Sequence, residues 1–317
     1  MLAVVLATLA LATAKPAAAQ HPIASPIWSP GGTRIAWAES NGGGHDIWAA
    51  NSDGTKPRLL ASGIAALFQL AWLPSGDFLY DAGHRLFRVG PDGQPRLLAT
   101  GVTFSLDAKG DKVTYQTADF CRTCHGPVEV RSIATGKTWK IAPTGQNLFP
   151  ALSPDGSSVA FTHFLGSGGG RYEKPGGIWI AAAAGGTPVQ RTRAGLCPQW
   201  SPDGRRLAYA DSAGLHVIAR TGGTDTLLLH ENGLPACAAQ WSPDGRRIAA
   251  VTSHGRLVVI DATTRASRTI GPRYSVDLAW APDGSRLLFT SSAKAQACPS
   301  LWSLRPDGSD LRRLRSC

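Results

Sequence analysis

The chain has 317 residues and a formal net charge of +10, with 36 glycines, 22 prolines and no stretch of sustained helical periodicity. This composition excludes a helical bundle or coiled coil, and beyond the N-terminal segment no apolar run is long enough to span a membrane. The basic balance suits solubility or an anionic partner, but no recognised nucleic-acid-binding motif is present, so no nucleic-acid partner is expected.

Residues Leu2 to Leu11 are almost wholly apolar, and Ala17-Ala18-Ala19 before Gln20 has the small-residue pattern of a signal-peptidase site. Residues 1–19 are therefore expected to be a signal peptide, leaving residues 20–317 as a periplasmic or secreted domain with no transmembrane segment.

The first repeat opens the mature chain, with strands expected over residues 24–28, 33–38, 46–51 and 57–61. Its pattern is plainest later, in WSPDGRRLAY (200–209), which returns almost unchanged as WSPDGRRIAA (241–250). Weaker copies are anchored at Trp28, Trp72, Phe104, Leu152 and Trp280, so seven anchors stand 32 to 48 residues apart. A period of about 40 to 45 residues holding four short strands is that of a propeller blade. The expected fold is all-β, a seven-bladed β-propeller of four-stranded antiparallel blades.

Each turn residue has a physical role. Pro202 presets φ for the first central position of a type I turn, Asp203 tolerates the second, and Gly204 can adopt the left-handed conformation that closes the hairpin. Within the strands, alternation of apolar and polar residues fits sheets stacked face to face, with the tryptophan anchors filling the space between blades.

In a four-stranded meander the first and third turns share one face, while the second turn and the blade-to-blade link share the other. The second turn is long in blade three (117–126), blade four (164–176) and blade seven (291–299). Long loops on one face of a rigid ring are where binding residues collect. The candidate partner-binding residues are Phe120, His125, Phe164, Arg171 and Tyr172. The glycine-rich run 166–170 lies between two strands and lacks the following helix that a phosphate loop needs.

Blade three's loop contains Cys121-Arg122-Thr123-Cys124-His125. Three readings stay open: a c-type haem attachment sequence, a Cys/Cys/His metal site completed by His163 or His84, and a small disulfide ring that needs no cofactor. Cys298 and Cys317 flank the last hairpin nearly symmetrically and are expected to pin the C-terminal strand. Cys197 and Cys237 lie at the entrances to adjacent blades and form a second candidate pair. His45, His84, His125 and His254 all precede the third strand of their blade and share a face, with His163 close by.

The Trp-Ser-Pro-Asp-Gly repeats resemble those of TolB-type propellers, the periplasmic component of the Tol-Pal envelope system and its relatives, over nearly the whole mature chain. TolB carries an N-terminal domain and six blades, whereas here the first repeat follows the expected cleavage site closely and seven motifs are present. The resemblance implies a non-catalytic binding scaffold whose partner is an envelope protein or an anionic envelope polymer. Histidines on a similar seven-bladed ring also resemble the manganese site of oligogalacturonate lyases, which implies a metal-dependent lyase of acidic polysaccharides as an alternative. No Gly-x-Ser-x-Gly elbow or His-Glu-x-x-His motif is present.

Overall fold

The computed structural model describes residues 22–90, 92–117, 127–142, 146–165, 174–231, 237–292, 294 and 297–317. These residues form seven antiparallel four-stranded sheets and no helix. In each sheet the strands follow sequence order, as in the first, built from Ile23–Trp28, Arg34–Ser40, His45–Asn51 and Arg58–Ile64. The seven sheets are the blades of a propeller. Their first strands are innermost and pack against one another round the ring, that of blade seven (Ser275–Trp280) closing on that of blade one.

The stacking buries the second strand of a blade on both faces. Arg206–Ala210, Arg247–Val251 and Leu287–Ser291 are almost wholly buried, with small residues such as Ala208, Ala249 and Ala250 set among Leu207 and Ile248. Strict apolar-polar alternation therefore does not hold there, because both sides of the strand meet a neighbouring blade. The outermost strands, such as Pro95–Thr100, are mostly exposed.

Apolar packing is divided among the blade seams rather than gathered in one core. The blade one/two seam holds Ile47, Leu70, Trp72 and Tyr80, the four/five seam Ile180, Trp200, Leu207 and Tyr209, and the seven/one seam Ile23, Ile35, Trp37 and Leu288. Each such side chain contributes roughly 1.5 to 3 kcal/mol on burial, so a blade is stable only between two others.

The repeated turn forms as expected. Gly204 has a φ of 66° and its N–H donates to Ser201 O at 2.8 Å. The fully buried Ser201 hydroxyl accepts from Arg206 N at 2.9 Å and donates to Asp203 at 2.5 Å. A side chain placed at Gly245 would meet Pro202 of the preceding blade at 3.5 Å, and one at Gly32 would meet Pro282 at 3.6 Å, so these turns also touch around the ring.

Blade three differs from the expectation. Leu106, not Phe104, pairs with Val113 as Trp200 pairs with Leu207, and the turn is Asp107 to Gly110, whose glycine has a φ of 69°. Leu106 is thus the anchor, because the turn glycine fixes the register.

Candidate functional site: a central channel and the face around its mouth

In four blades the inner strand is bent before the anchor. Ser25, Thr103, Phe149 and Cys197 each stand three residues before theirs and have φ values of 50°, 44°, 55° and 53°. The ladder between first and second strands shifts register across each of these positions. Bulges of this kind re-aim side chains toward the axis. They line a central channel of about 590 Å³ to which all seven blades contribute.

The channel wall is built from few chemical types. Gln69 Nε2 donates to Phe104 O at 2.8 Å while Phe104 N donates to Gln69 Oε1 at 3.0 Å, clamping blades two and three. Asp277 accepts from Ser25 N at 3.0 Å across the closing seam, and Asp81 accepts from Gln69 N at 2.6 Å. Burial pushes the Asp277 carboxyl above its ordinary range, against the opposing hydrogen bond from Ser25. Gln199, Gln240, Phe149 and the 57% exposed Val276 complete the polar and apolar parts of the wall. Asp81 and Asp277 are the only charged side chains among the described lining residues.

Both expected disulfides are formed. Cys197 and Cys237 join the entrances of blades five and six with Cα atoms 5.0 Å apart, and both line the channel. Cys298 and Cys317 join the last two strands with Cα atoms 5.9 Å apart, and Cys317 N donates to Ser300 at 3.2 Å.

Of the partner-binding candidates, Phe164 lies in the second strand of blade four, one residue before its end, paired between Gln146 and Pro175, and is half-buried on the long-loop face. Phe120, Cys121, Cys124, His125, Arg171 and Tyr172 lie outside the described residues, as do residues 1–19.

The remaining histidines have separate surroundings. His163 Nδ1 stands 2.9 Å from Asn147, and exposed His254 is 3.1 Å from Glu231. His45 opens a third strand with its Nδ1 buried and without a hydrogen-bond partner, and His84 occupies a turn at a φ of 62°. Among the described residues, no group of three or more His, Cys, Asp or Glu side chains could hold a metal ion.

A cluster that the repeat pattern did not reveal surrounds His216. Its Nδ1 lies 2.7 Å from Asp225 and its Nε2 3.0 Å from Asp211, while its ring stacks on Tyr209 at 5.1 Å. Tyr209 donates to Asp225 at 2.7 Å, and burial with that bond pushes the phenol well above its ordinary range. The cluster lies within blade five, away from the channel lining, and ties its three outer strands together. A histidine facing tyrosine across paired strands is the one sequence signal that marks it.

No protein-family model matches the sequence, and no curated protein matches it significantly. Solved structures do. An oligogalacturonate lyase in complex with manganese superposes with a TM-score of 0.71 at 15% identity, covering 90% of this chain and 89% of that one. The oligogalacturonate lyase of Vibrio parahaemolyticus gives 0.69 at 12% identity over 89% and 90%. TolB from Acinetobacter baumannii gives 0.53 at 16% identity over 86% of this chain and 76% of that one. In fold, the chain is a seven-bladed β-propeller similar both to these lyases and to TolB.

Proposed function

We propose that this protein is an extracytoplasmic binding scaffold that seats a protein partner over the channel mouth, on the face carrying the long second turns. One observation carries the reading. Although the chain is strongly basic, the described channel lining holds two carboxylates and no cationic side chain. Such a wall is electrostatically unsuited to an anionic polymer and suited to peptide groups, which glutamines, exposed backbone and Val276 can meet. The two disulfides support an oxidising compartment, in keeping with the expected leader at residues 1–19.

A photo-crosslinking amino acid at Val276 or Phe164 tests the placement. A discrete adduct from these positions, and none from Thr263 on the opposite face, supports the reading. Adducts of equal yield from both faces would overturn it.

A metal-dependent lyase is the second reading, favoured by the higher structural likeness to the oligogalacturonate lyases. The described side chains supply no ligand set for a metal, and the acidic channel would repel a polygalacturonate. The expectation is that protein supplied with Mn²⁺ and oligogalacturonate releases no unsaturated product. Sustained release would replace the scaffold reading with the lyase.

A further inference from the structure

On the face opposite the long loops, the one/two, five/six and six/seven seams share a device that the closing seven/one seam lacks. Four of the five tryptophan anchors carry an arginine over the ring: Arg34 on Trp72 at 5.5 Å, Arg206 on Trp241 at 4.6 Å, Arg247 on Trp280 at 5.4 Å and Arg220 on Trp200 at 5.4 Å. Three of these arginines stand six residues after the anchor of the preceding blade. From the same position, Arg206 and Lys112 also donate to the turn-glycine carbonyl of the next blade, Gly245 O at 2.7 Å and Gly156 O at 2.9 Å.

The fifth tryptophan, Trp28, has no cation over it among the described residues. Arg286 occupies the position from which one would be delivered, but it is drawn back within blade seven. It donates to Ser303 at 2.7 Å and to the Asp310 carboxylate and carbonyl at 2.6 and 2.9 Å. Arg312 is held by the same carboxylate at 2.7 Å.

Where the stacked arginine would lie there is instead a cavity of about 260 Å³, lined by Trp28, Gly32, Asp53 and Asp283 together with Arg286 and Arg312. Asp53 and Asp283 each use one oxygen to close their own turns, on Thr55 and Ser285, and among the described residues neither forms an ion pair. Trp28 is also less buried than its four counterparts.

We propose that this cavity binds the guanidinium of an arginine side chain presented by a protein partner. Trp28 supplies the stacking face, and the Gly32 carbonyl with Asp53 and Asp283 supplies the polar edge. The chain itself specifies the chemistry: every cation seated on a tryptophan anchor is arginine, whose flat, weakly hydrated guanidinium stacks on an aromatic face better than an ammonium does. Charge complementarity selects the cation, because both lining arginines are already committed to Asp310, while Asp53 and Asp283 form no ion pair among the described residues and Arg312 acts on Asp53 only at longer range. The site lies on the turn face and is independent of the partner proposed at the channel mouth.

The test uses the full chain labelled with 5-fluorotryptophan, with the Trp28 resonance assigned from Trp28→Phe. The probes are N-acetyl-arginine methylamide and its citrulline and lysine counterparts. The arginine probe is expected to shift the Trp28 signal saturably, and the neutral citrulline probe to leave it in place. Replacing both carboxylates, Asp53→Asn with Asp283→Asn, is expected to weaken binding about tenfold.

Asp310→Asn provides a second, opposite manipulation. It releases Arg286 to lie over Trp28 as Arg206 lies over Trp241, so the variant fills its own site, shifts the Trp28 signal without probe and loses affinity for the arginine probe. A Trp28 signal indifferent to the arginine probe, or moved equally by citrulline or lysine, overturns the proposal. So does an Asp310→Asn protein that melts like the parent and binds the probe unchanged.

Discussion

Arg206 crosses from blade five to lie 4.6 Å over the ring of Trp241 in blade six, and its guanidinium donates to Gly245 O at 2.7 Å. The pair joins two blades through a side chain rather than a strand. Arg206→Ala is expected to lower unfolding free energy by about 1 to 2 kcal/mol, the sum of a cation–π contact and one hydrogen bond. Arg206→Lys should fall between. Urea titration of the three proteins measures the series, and an alanine variant as stable as the parent would remove the role given to this contact.

The Cys298–Cys317 bond closes a 19-residue separation. Cys298→Ala with Cys317→Ala is expected to cost about 3 kcal/mol through the freedom returned to the unfolded chain. Hydrogen exchange should rise first in Arg312–Arg315, the strand the bond pins. Intact mass of the unreduced protein gives a separate check, with two hydrogens missing for each bond. A third missing pair would assign Cys121 and Cys124 to a disulfide, whereas a Soret band with added haem mass would assign them to haem attachment.

Acid should destabilise the ring through its turns. Hydrogen bonds from Ser201 and Arg205 N hold Asp203 below the ordinary carboxylate range, and those from Ser242 and Arg246 N do the same for Asp244. Arg312 and Arg286 hold Asp310 down at about 2. Between the unfolded value near 3.9 and these lower folded values, the unfolded chain binds more protons, so stability falls as pH falls. Melting temperature is expected to drop as pH goes from about 4 toward 2. The drop should be shallower in a protein carrying both Asp203→Asn and Asp244→Asn.

Asp277 has the opposite sign. Its folded-state carboxyl is raised by burial, so its contribution is fully present in acid and is lost as pH rises through the folded value. Asp277→Asn retains an acceptor for Ser25 N and is expected to be at least as stable as the parent at neutral pH. That advantage should shrink toward acid, and a deficit that is constant with pH would contradict the assignment.

Gly177 has a φ of 104°, and a Cβ there would stand 1.9 Å from Thr192 O. Gly177→Ala is expected to cost about 3 kcal/mol or more, because the backbone carbonyl cannot yield as a side chain would. Circular dichroism melting reads the loss directly.

The ring was legible because the Ser-Pro-Asp-Gly turn requires particular residues at fixed places, so its copies survive strand by strand. In blade three that chemistry thins: Asp107-Ala108-Lys109-Gly110 keeps the glycine but has neither proline nor tryptophan, so Phe104 resembles an anchor that Leu106 in fact supplies. The disulfide partners followed from the hairpin that separates Cys298 from Cys317 and from the two blade entrances. The channel lining was not legible, since Ser25, Thr103, Phe149 and Cys197 share a backbone conformation and an offset from the anchor but no side-chain type. The His216 cluster is inconspicuous in sequence for a related reason, because Asp211 and Asp225 come from two different turns and resemble ordinary turn aspartates.

Every blade is contiguous in sequence, so six seams join neighbours along the chain and only the seventh joins its ends. The bonds from Ser25 to Asp277 and from Trp28 to Ala279 span 252 and 251 positions. Extending a loop from one blade's length to the whole chain adds only roughly 2 kcal/mol of closure entropy, so the last seam is thermodynamically cheap but late in time. Until the first strand of blade seven packs on that of blade one, the assembling ring is an open crescent with two uncovered blade faces. Oxidation of Cys298 with Cys317 then acts as a clasp, fastened in the blade that closes on the first.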